Sequence, residues 1–361
     1  MEILSDINVS NAFEIFINED KLIVFSNDYS QYSRTIISIY DVTDRENPEL
    51  ETKVDVDGNY VSARMIGDYV YLIANQYTGY DNIILPAVMV DGVKREMPVT
   101  DIAYFPYPDT SYVFTNIVAL DVNNGDYESQ TYLTGASYNV YVSEDNIYLT
   151  YTKTLSYDTY FEEAVEKVYI PLLPSQEAGQ VREVMDSDDQ LYEKMQKVSE
   201  IVVDYSNSLT GQEKQDFDEQ LFEKIEEFSA EFQKKTEKTV VHKINVDGLD
   251  IEYIANGEVP GHILNQFSMD EHKSYFRIAT TTGNSWGGRS QSLNHMYVLD
   301  SNLKITGSVD DLAEGERIYS TRFMGDRAYM VTFRQVDPLF VIDLSNPENP
   351  EVLGQLKVTG F

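Results

Sequence analysis

Apolar and polar positions alternate through four short runs in residues 316–361, ERIYSTRFMGDRAYMVTFRQVDPLFVIDLSNPENPEVLGQLKVTGF. The runs are 318–324, 327–332, 339–344 and 352–358, separated by Gly325-Asp326, a polar loop ending at Pro338, and the turn Asn346-Pro347-Glu348-Asn349-Pro350. Successive side chains of a strand face opposite sides of its sheet. Period-2 runs rich in Val, Ile, Tyr and Phe, bounded by Gly, Pro, Asn and Asp, therefore predict strands. Four strands in about 45 residues is the size of one propeller blade.

The same unit recurs along the chain. FEIFI, KLIVFS, TIISIYDV and ELETKVDVDG form a first copy, whose turn DVTDRENPEL matches DLSNPENPEV near the end. YVSARMIGDYVYLIAN opens a second, where Arg64-Met65-Ile66-Gly67-Asp68 matches Arg322-Phe323-Met324-Gly325-Asp326. The units span about 11–58, 59–136, 137–261, 262–316 and 317–361 within one domain, 1–361. Such self-similarity predicts an all-β protein, a β-propeller of four-stranded antiparallel blades. Five units are visible.

Three units are stretched, each between its second and third strands. Residues 76–111 contain ILPAVMVDGVKREMPV, with an Asp91-Gly92 turn between apolar runs, which predicts a hairpin. Unit four carries the smaller polar loop TGNSWGGRSQSLN. In 154–238 the period switches to 3.6: Leu191, Met195, Val198, Val202 and Tyr205 make one stripe, and Phe217, Leu221, Ile225, Phe228 and Phe232 another. Ser187 with Gln190 and Thr210 with Glu213 have capping-box spacing, so a helical hairpin is predicted over about 187–206 and 211–237. Its stripes either pack only on each other and on the propeller or serve a lid or partner. In an antiparallel blade the loops joining strands two and three leave on the face that also carries the blade-to-blade connections. All three insertions then decorate one face, and tight turns occupy the other.

Charge narrows the function. With 61 acidic against 27 basic residues and a net charge of −34, the balance argues against nucleic acid, whose phosphates need a basic face, and anionic membranes are disfavoured. There is no Cys, which removes disulfides, thiolate metal sites and Cys nucleophiles. No apolar run approaches the roughly 20 residues of a membrane-spanning helix. The opening MEILSDINVSN has neither a basic nor an apolar leader segment, so no signal peptide is expected in this chain. No cofactor is predicted. Calcium is the candidate ion for so acidic a surface, although turns such as Asp44–Glu49 do not match the calcium-loop pattern.

RMIGDYVYLIAN, VPGHILNQFSMDEH, the C-terminal unit quoted above, and the helical insertion ending before KTVVHKI together resemble the secreted β-propeller domain family of archaea and Gram-positive bacteria. That family is distantly related to WD-repeat propellers. The resemblance covers nearly the whole chain. It implies an extracellular or cell-surface location and further blades on either side, which makes the remaining blades of a longer protein candidate partners. It implies no activity and supplies no catalytic residues.

Candidate sites follow from placement. Ser62, Arg64, Gln266, Ser320 and Arg322 are predicted to line the central channel, with Phe16 and Tyr141 at the register of Arg64. The two arginines either bind an anion or carboxylate there or pair with acidic neighbours between blades. Trp286, the only Trp, and Tyr77, Tyr80, Tyr104, Tyr107, Tyr157 and Tyr160 fall on the inserted face as candidate ligand or partner contacts. His262 and His295 reach the same face, which raises a metal site without any HxxH spacing to support it, and whether a metal is held there stays open. Neither G-x-S-x-G nor a glycine-rich phosphate loop is present. The expectation is a non-enzymatic extracellular binding module that meets a protein or glycan through the inserted face. Two alternatives stand: a propeller hydrolase using acidic residues at the channel mouth, and a structural piece of a larger surface assembly.

Overall fold

The computed structural model describes residues 3–30, 33–77, 83–105, 112–136, 139–153, 157–283, 292–333 and 337–358. Five sheets follow one another along the chain, each built on four antiparallel strands in sequence order. The first comprises β1 (Ala12–Asn18), β2 (Lys21–Asp28), β3 (Arg34–Asp41) and β4 (Glu49–Asp57). The second has β5 (Asn59–Ile66), β6 (Tyr69–Tyr77), β10 (Tyr112–Asp121) and β11 (Tyr127–Gly135). The third has β12 (Asn139–Val142), β13 (Asn146–Lys153), β14 (Lys238–Asp247) and β15 (Asp250–Pro260). The fourth has β16 (Met269–His272), β17 (Tyr275–Thr282), β18 (Leu293–Leu299) and β19 (Ile305–Leu312). The fifth has β20 (Arg317–Met324), β21 (Arg327–Phe333), β22 (Asp337–Asp343) and β23 (Glu351–Val358). These sheets are the blades of a β-propeller.

The strand period decides which blade each residue serves. In β6, Val70, Leu72 and Ala74 join a buried cluster with Phe25, Ile37 and Val54 of blade one. The intervening Tyr71 and Ile73 join Ile147, Leu149 and Ile244 of blade three. Two further clusters join blades three to four and four to five, among them Tyr148 against Phe276, with ring centroids 4.2 Å apart, and Met296 against Met330. Each inner blade thus uses both faces, which is why its two middle strands are buried along most of their length, whereas the outer strands β11, β15 and β19 stay partly polar and exposed.

Aspartate ends the third strand in four blades. Asp41, Asp121, Asp300 and Asp343 each accept a hydrogen bond from the backbone N–H two residues on, at 2.7–2.9 Å. At all four places the residue two positions on is Thr, Asn or Ser, and the bond closes an Asx turn. The N–H bond to Thr43 holds the Asp41 carboxyl well below its ordinary range, at about 2. At the same end, Val42, Val122, Val246 and Leu344 donate to the carbonyls of Asp20, Asp68, Asp145 and Asp326, tying the outer turn to the inner one. Glycine on the outer strands lets the next blade approach: a Cβ on Gly257 would collide with the Leu303 carbonyl, and one on Gly307 with that of Pro347.

The first insertion forms a hairpin, β7 (Ala87–Val90) and β8 (Val93–Glu96), through Asp91 and Gly92, both at positive φ. The sequence does not foretell where it goes: β7 pairs with β4, so blade two extends the outer edge of blade one to six strands. β9 (Ile102–Tyr104) then adds in parallel to β11. Both additions cover edges that would otherwise present unpaired backbone.

The long insertion holds more helix than its two stripes predict. α1 (Tyr157–Ala164), a π-helical turn (Val165–Tyr169), α2 (Ile170–Leu172) and α3 (Ser175–Met185) precede α4 (Leu191–Ser208) and α5 (Gly211–Thr236). Pro171, which has no N–H to give the preceding turn, accounts for the widened π turn before it. The predicted capping boxes do not form. The Ser187 hydroxyl donates to the Val184 carbonyl at 2.8 Å and so closes α3, while Thr210 stands at the N-cap of α5 without a side-chain cap bond. Both stripes are buried within the insertion itself, in clusters made only of its own residues, such as Phe161, Val181, Val198, Phe217 and Phe228.

Five blades make at most five interfaces if the ring closes. Among the described residues only four interblade clusters exist, and none joins blade five to blade one. On the free face of blade one, Ile15 and Ile17 are 64% and 69% exposed; on that of blade five, Tyr319 and Leu356 are 69% and 61% exposed.

Candidate functional site

Two regions gather the candidate residues. On the inserted face, Tyr77 ends β6 and Tyr104 ends β9, and both are exposed. Tyr157 begins α1, also exposed, with its ring stacked 5.9 Å from that of Tyr160. Tyr160 itself belongs to the inside of the insertion: its hydroxyl lies 2.7 Å from Ser229 Oγ and its ring packs on Phe228 and Phe232. Trp286, Tyr80 and Tyr107 lie outside the described residues. Tyr192 of α4 and Phe222 of α5 are exposed aromatics that the sequence did not single out, because they fall off the apolar stripes. Glu237 fixes the foot of the insertion to blade four. One carboxylate oxygen is 2.7 Å from His262 Nδ1, and the other accepts the Gly283 N–H at 2.9 Å.

The histidines raised as metal ligands have other company. His262 is paired with Glu237, and His295 has its Nε2 2.9 Å from Thr282 Oγ1 and its Nδ1 3.2 Å from Asp310. Among the described residues no group of three His, Asp or Glu is placed to hold a metal ion, and no helix is long and apolar enough to cross a membrane. His242 is buried beneath Phe105, Tyr151 and Tyr253; its Nδ1 is 2.9 Å from the Tyr253 hydroxyl, and burial lowers its pKa to about 4.

The second region is the channel near the tight turns. A cleft of about 240 Å³ is lined by Arg64 of blade two, Tyr141 of blade three, Gln266, Phe267 and Asp270 of blade four, and Arg322 of blade five. A 3-10 turn, Gln266–Ser268, carries Gln266 and Phe267 into it, held by the Asn265 side chain, which accepts the Phe267 N–H at 3.0 Å. Arg64 donates from Nη2 to Gln266 Oε1 at 3.2 Å and from Nη1 to its neighbour's carbonyl, Ala63, at 2.7 Å. Arg322 donates from Nη1 to the Thr321 carbonyl at 2.7 Å, and its guanidinium lies 4.3 Å over the Phe267 ring. Neither arginine has a carboxylate within ion-pair distance among the described residues, whereas Arg34 and Arg277 each do. Asp270 is taken by the buried Arg277, whose Nε donates to it at 2.9 Å. Ser62 is buried in the β5 strand at its bulge, and Ser320 is half-buried beside the bulge of β20.

Beside the cleft, Glu271 accepts from Ser143 Oγ at 2.6 Å and from Asn146 Nδ2 at 3.1 Å, with Lys243 Nζ at 3.7 Å. The buried Tyr148 next to it has its pKa raised, chiefly by burial. This clasp joins blades three and four and leaves that carboxylate fully occupied.

A family profile described as beta propeller domain matches residues 1–361. An uncharacterized protein of Methanocaldococcus jannaschii is 31% identical over 360 residues, which cover 98% of this chain and 55% of that protein. An uncharacterized protein of Archaeoglobus fulgidus is 31% identical over 326 residues, 87% of this chain and 50% of that protein. The chain spans about half the length of these curated relatives. Among solved structures, a mutant of Synechocystis apocarotenoid oxygenase overlaps 94% of this chain and 58% of its own at 9% identity and a TM-score of 0.38. Its cobalt-substituted form gives the same score at 10% identity.

Proposed function

This chain belongs to the beta propeller domain family, and on that scaffold we propose that it acts as a non-enzymatic binding module at the cell exterior, meeting a protein or glycan through its inserted face. One observation carries the reading. The helical insertion has a core of its own, stands on the loop between β13 and β14, and spends no stripe residue on the propeller, yet it exposes Tyr157, Tyr192, Val203 and Phe222. A unit that stabilises itself and still presents aromatic side chains has the composition of an interaction surface. Tyr77 and Tyr104 of blade two are exposed as well.

The test exploits register. Lys153 pairs directly with Lys238, so residues 154–237 can be replaced by a two-residue Asn-Gly turn without moving either strand. The intact chain, the excised chain and a Tyr157→Ser/Tyr192→Ser/Phe222→Ser variant are compared on a glycan array and on whole cells of the source organism. Binding by the intact chain that both changes abolish supports the reading; equal binding by all three sinks it.

A second reading, a structural piece of a larger assembly, is favoured by the uncovered apolar faces of blades one and five and by relatives about twice as long. Concentration-dependent self-association of this chain that Ile17→Lys and Leu356→Lys remove would support it.

A further inference from the structure

We propose that the channel cleft between Arg64 and Arg322 is a carboxylate-binding site, occupied by a small organic acid or by a carboxylate-bearing side chain. Charge is the first ground. In a chain of net charge −34, two guanidiniums share one cleft of about 240 Å³ without a carboxylate partner, whereas Arg34 and Arg277 are each paired with an aspartate. The one acid in the lining, Asp270, is already neutralised by Arg277, so the cleft keeps its positive charge.

Geometry is the second ground. Gln266 holds one Nη of Arg64, and the Phe267 face supports the Arg322 guanidinium, so both cations are pre-positioned. The Nε and Nη2 of Arg322 make no intramolecular hydrogen bond among those of the described residues, which leaves one edge of its planar fork for a two-point contact with a carboxylate. The rest of the wall, Val140, Met269, Phe267 and Phe323, is apolar and suits the hydrocarbon part of an organic acid rather than a fully ionised phosphate, which needs donors on all sides. Because the lining comes from blades two, three, four and five, an occupant would bridge most of the arc. This site lies towards the tight-turn end of the channel, and it is independent of whatever the inserted face meets.

Calorimetric titration of the intact chain with succinate, with acetyl-glutamyl amide and with inorganic phosphate tests it at low and at physiological salt. The expected result is binding of a carboxylate probe, weaker at higher salt, with at least a tenfold rise in Kd for Arg64→Gln and for Arg322→Gln. Arg322→Lys, which keeps the charge and loses the fork, is expected to lie between; Arg317→Gln, outside the cleft, is expected to bind as the parent does. Preference for acetyl-glutamyl amide over succinate assigns a peptide side chain, and the reverse a free acid. No carboxylate binding to millimolar concentration, phosphate bound in preference to both acids, or unchanged affinity in both glutamine variants overturns the proposal. Near-UV circular dichroism confirms that each variant is folded.

Discussion

Protonating His242 should open a measurable gap in stability between neutral and mildly acid solution. The ring is 1% exposed, has Phe105 at 4.4 Å on one side, and meets the Tyr253 hydroxyl through Nδ1. Burial lowers its pKa from 6.5 to about 4. A histidine whose folded pKa is depressed stays neutral in the native state while the unfolded chain takes up a proton. Stability is therefore full above about pH 6.5 and is lost as pH falls towards the folded value. With 6.5 and about 4 as the two limits, the loss between pH 7 and pH 5 is about 2 kcal/mol, and by pH 4 about 3 kcal/mol. Many carboxylates titrate in the same range, so the quantity to read is a difference. Urea unfolding of the parent and of His242→Gln, which keeps a polar contact to Tyr253 without a titrating ring, is followed at pH 7, 6, 5 and 4. The variant is less stable at pH 7, and the gap should close by about 2 kcal/mol at pH 5. Parallel stability curves would refute the assignment of His242 as a buried neutral ring.

Other outcomes follow from contacts already described. Tyr148→Ala removes a fully buried ring stacked on Phe276 and should cost about 3–5 kcal/mol in urea unfolding, with blades three and four loosening first by hydrogen exchange. Gly257→Ala places a methyl against the Leu303 carbonyl across the same interface and should cost about 1–3 kcal/mol. Replacing 154–237 by the Asn-Gly turn should remove the helical signal from the far-UV spectrum and leave the melting of the sheets within a few degrees, because the insertion keeps its core to itself. A large drop in melting temperature would show that the insertion braces the propeller.

The fold was legible because its signals repeat. The runs 318–324, 327–332, 339–344 and 352–358 fall on β20 to β23, and the matched turns DVTDRENPEL and DLSNPENPEV both open with an Asx turn, at Asp41 and Asp343. Each of these signals is local. The extra helices were hidden for a local reason as well: Pro171, Pro174 and Gly179 read in the sequence as helix breakers, yet only Pro174 stands at a break, as the N-cap of α3. What could not be read was apposition. Arg64 and Gln266 meet across 202 residues, and the β7–β8 hairpin leaves its own blade to pair with β4 of another. Only the backbone path decides such meetings. The channel residues were placed by register from Gly67-Asp68 and Gly325-Asp326, but the 3-10 turn that carries Phe267 under Arg322 gave no periodic signal at all.

The four interblade clusters found among the described residues also set the order in which this chain comes apart. When each repeat touches only its neighbours, stability is a sum of single-repeat terms and nearest-neighbour couplings. Among the described residues the three middle blades are each clamped twice, whereas the first and fifth are clamped once. Amide protection should therefore fall off from the centre towards both ends, like a zipper with two sliders. Any ligand or blade that bridges the two ends would turn that zipper into a hoop, with no end from which to start.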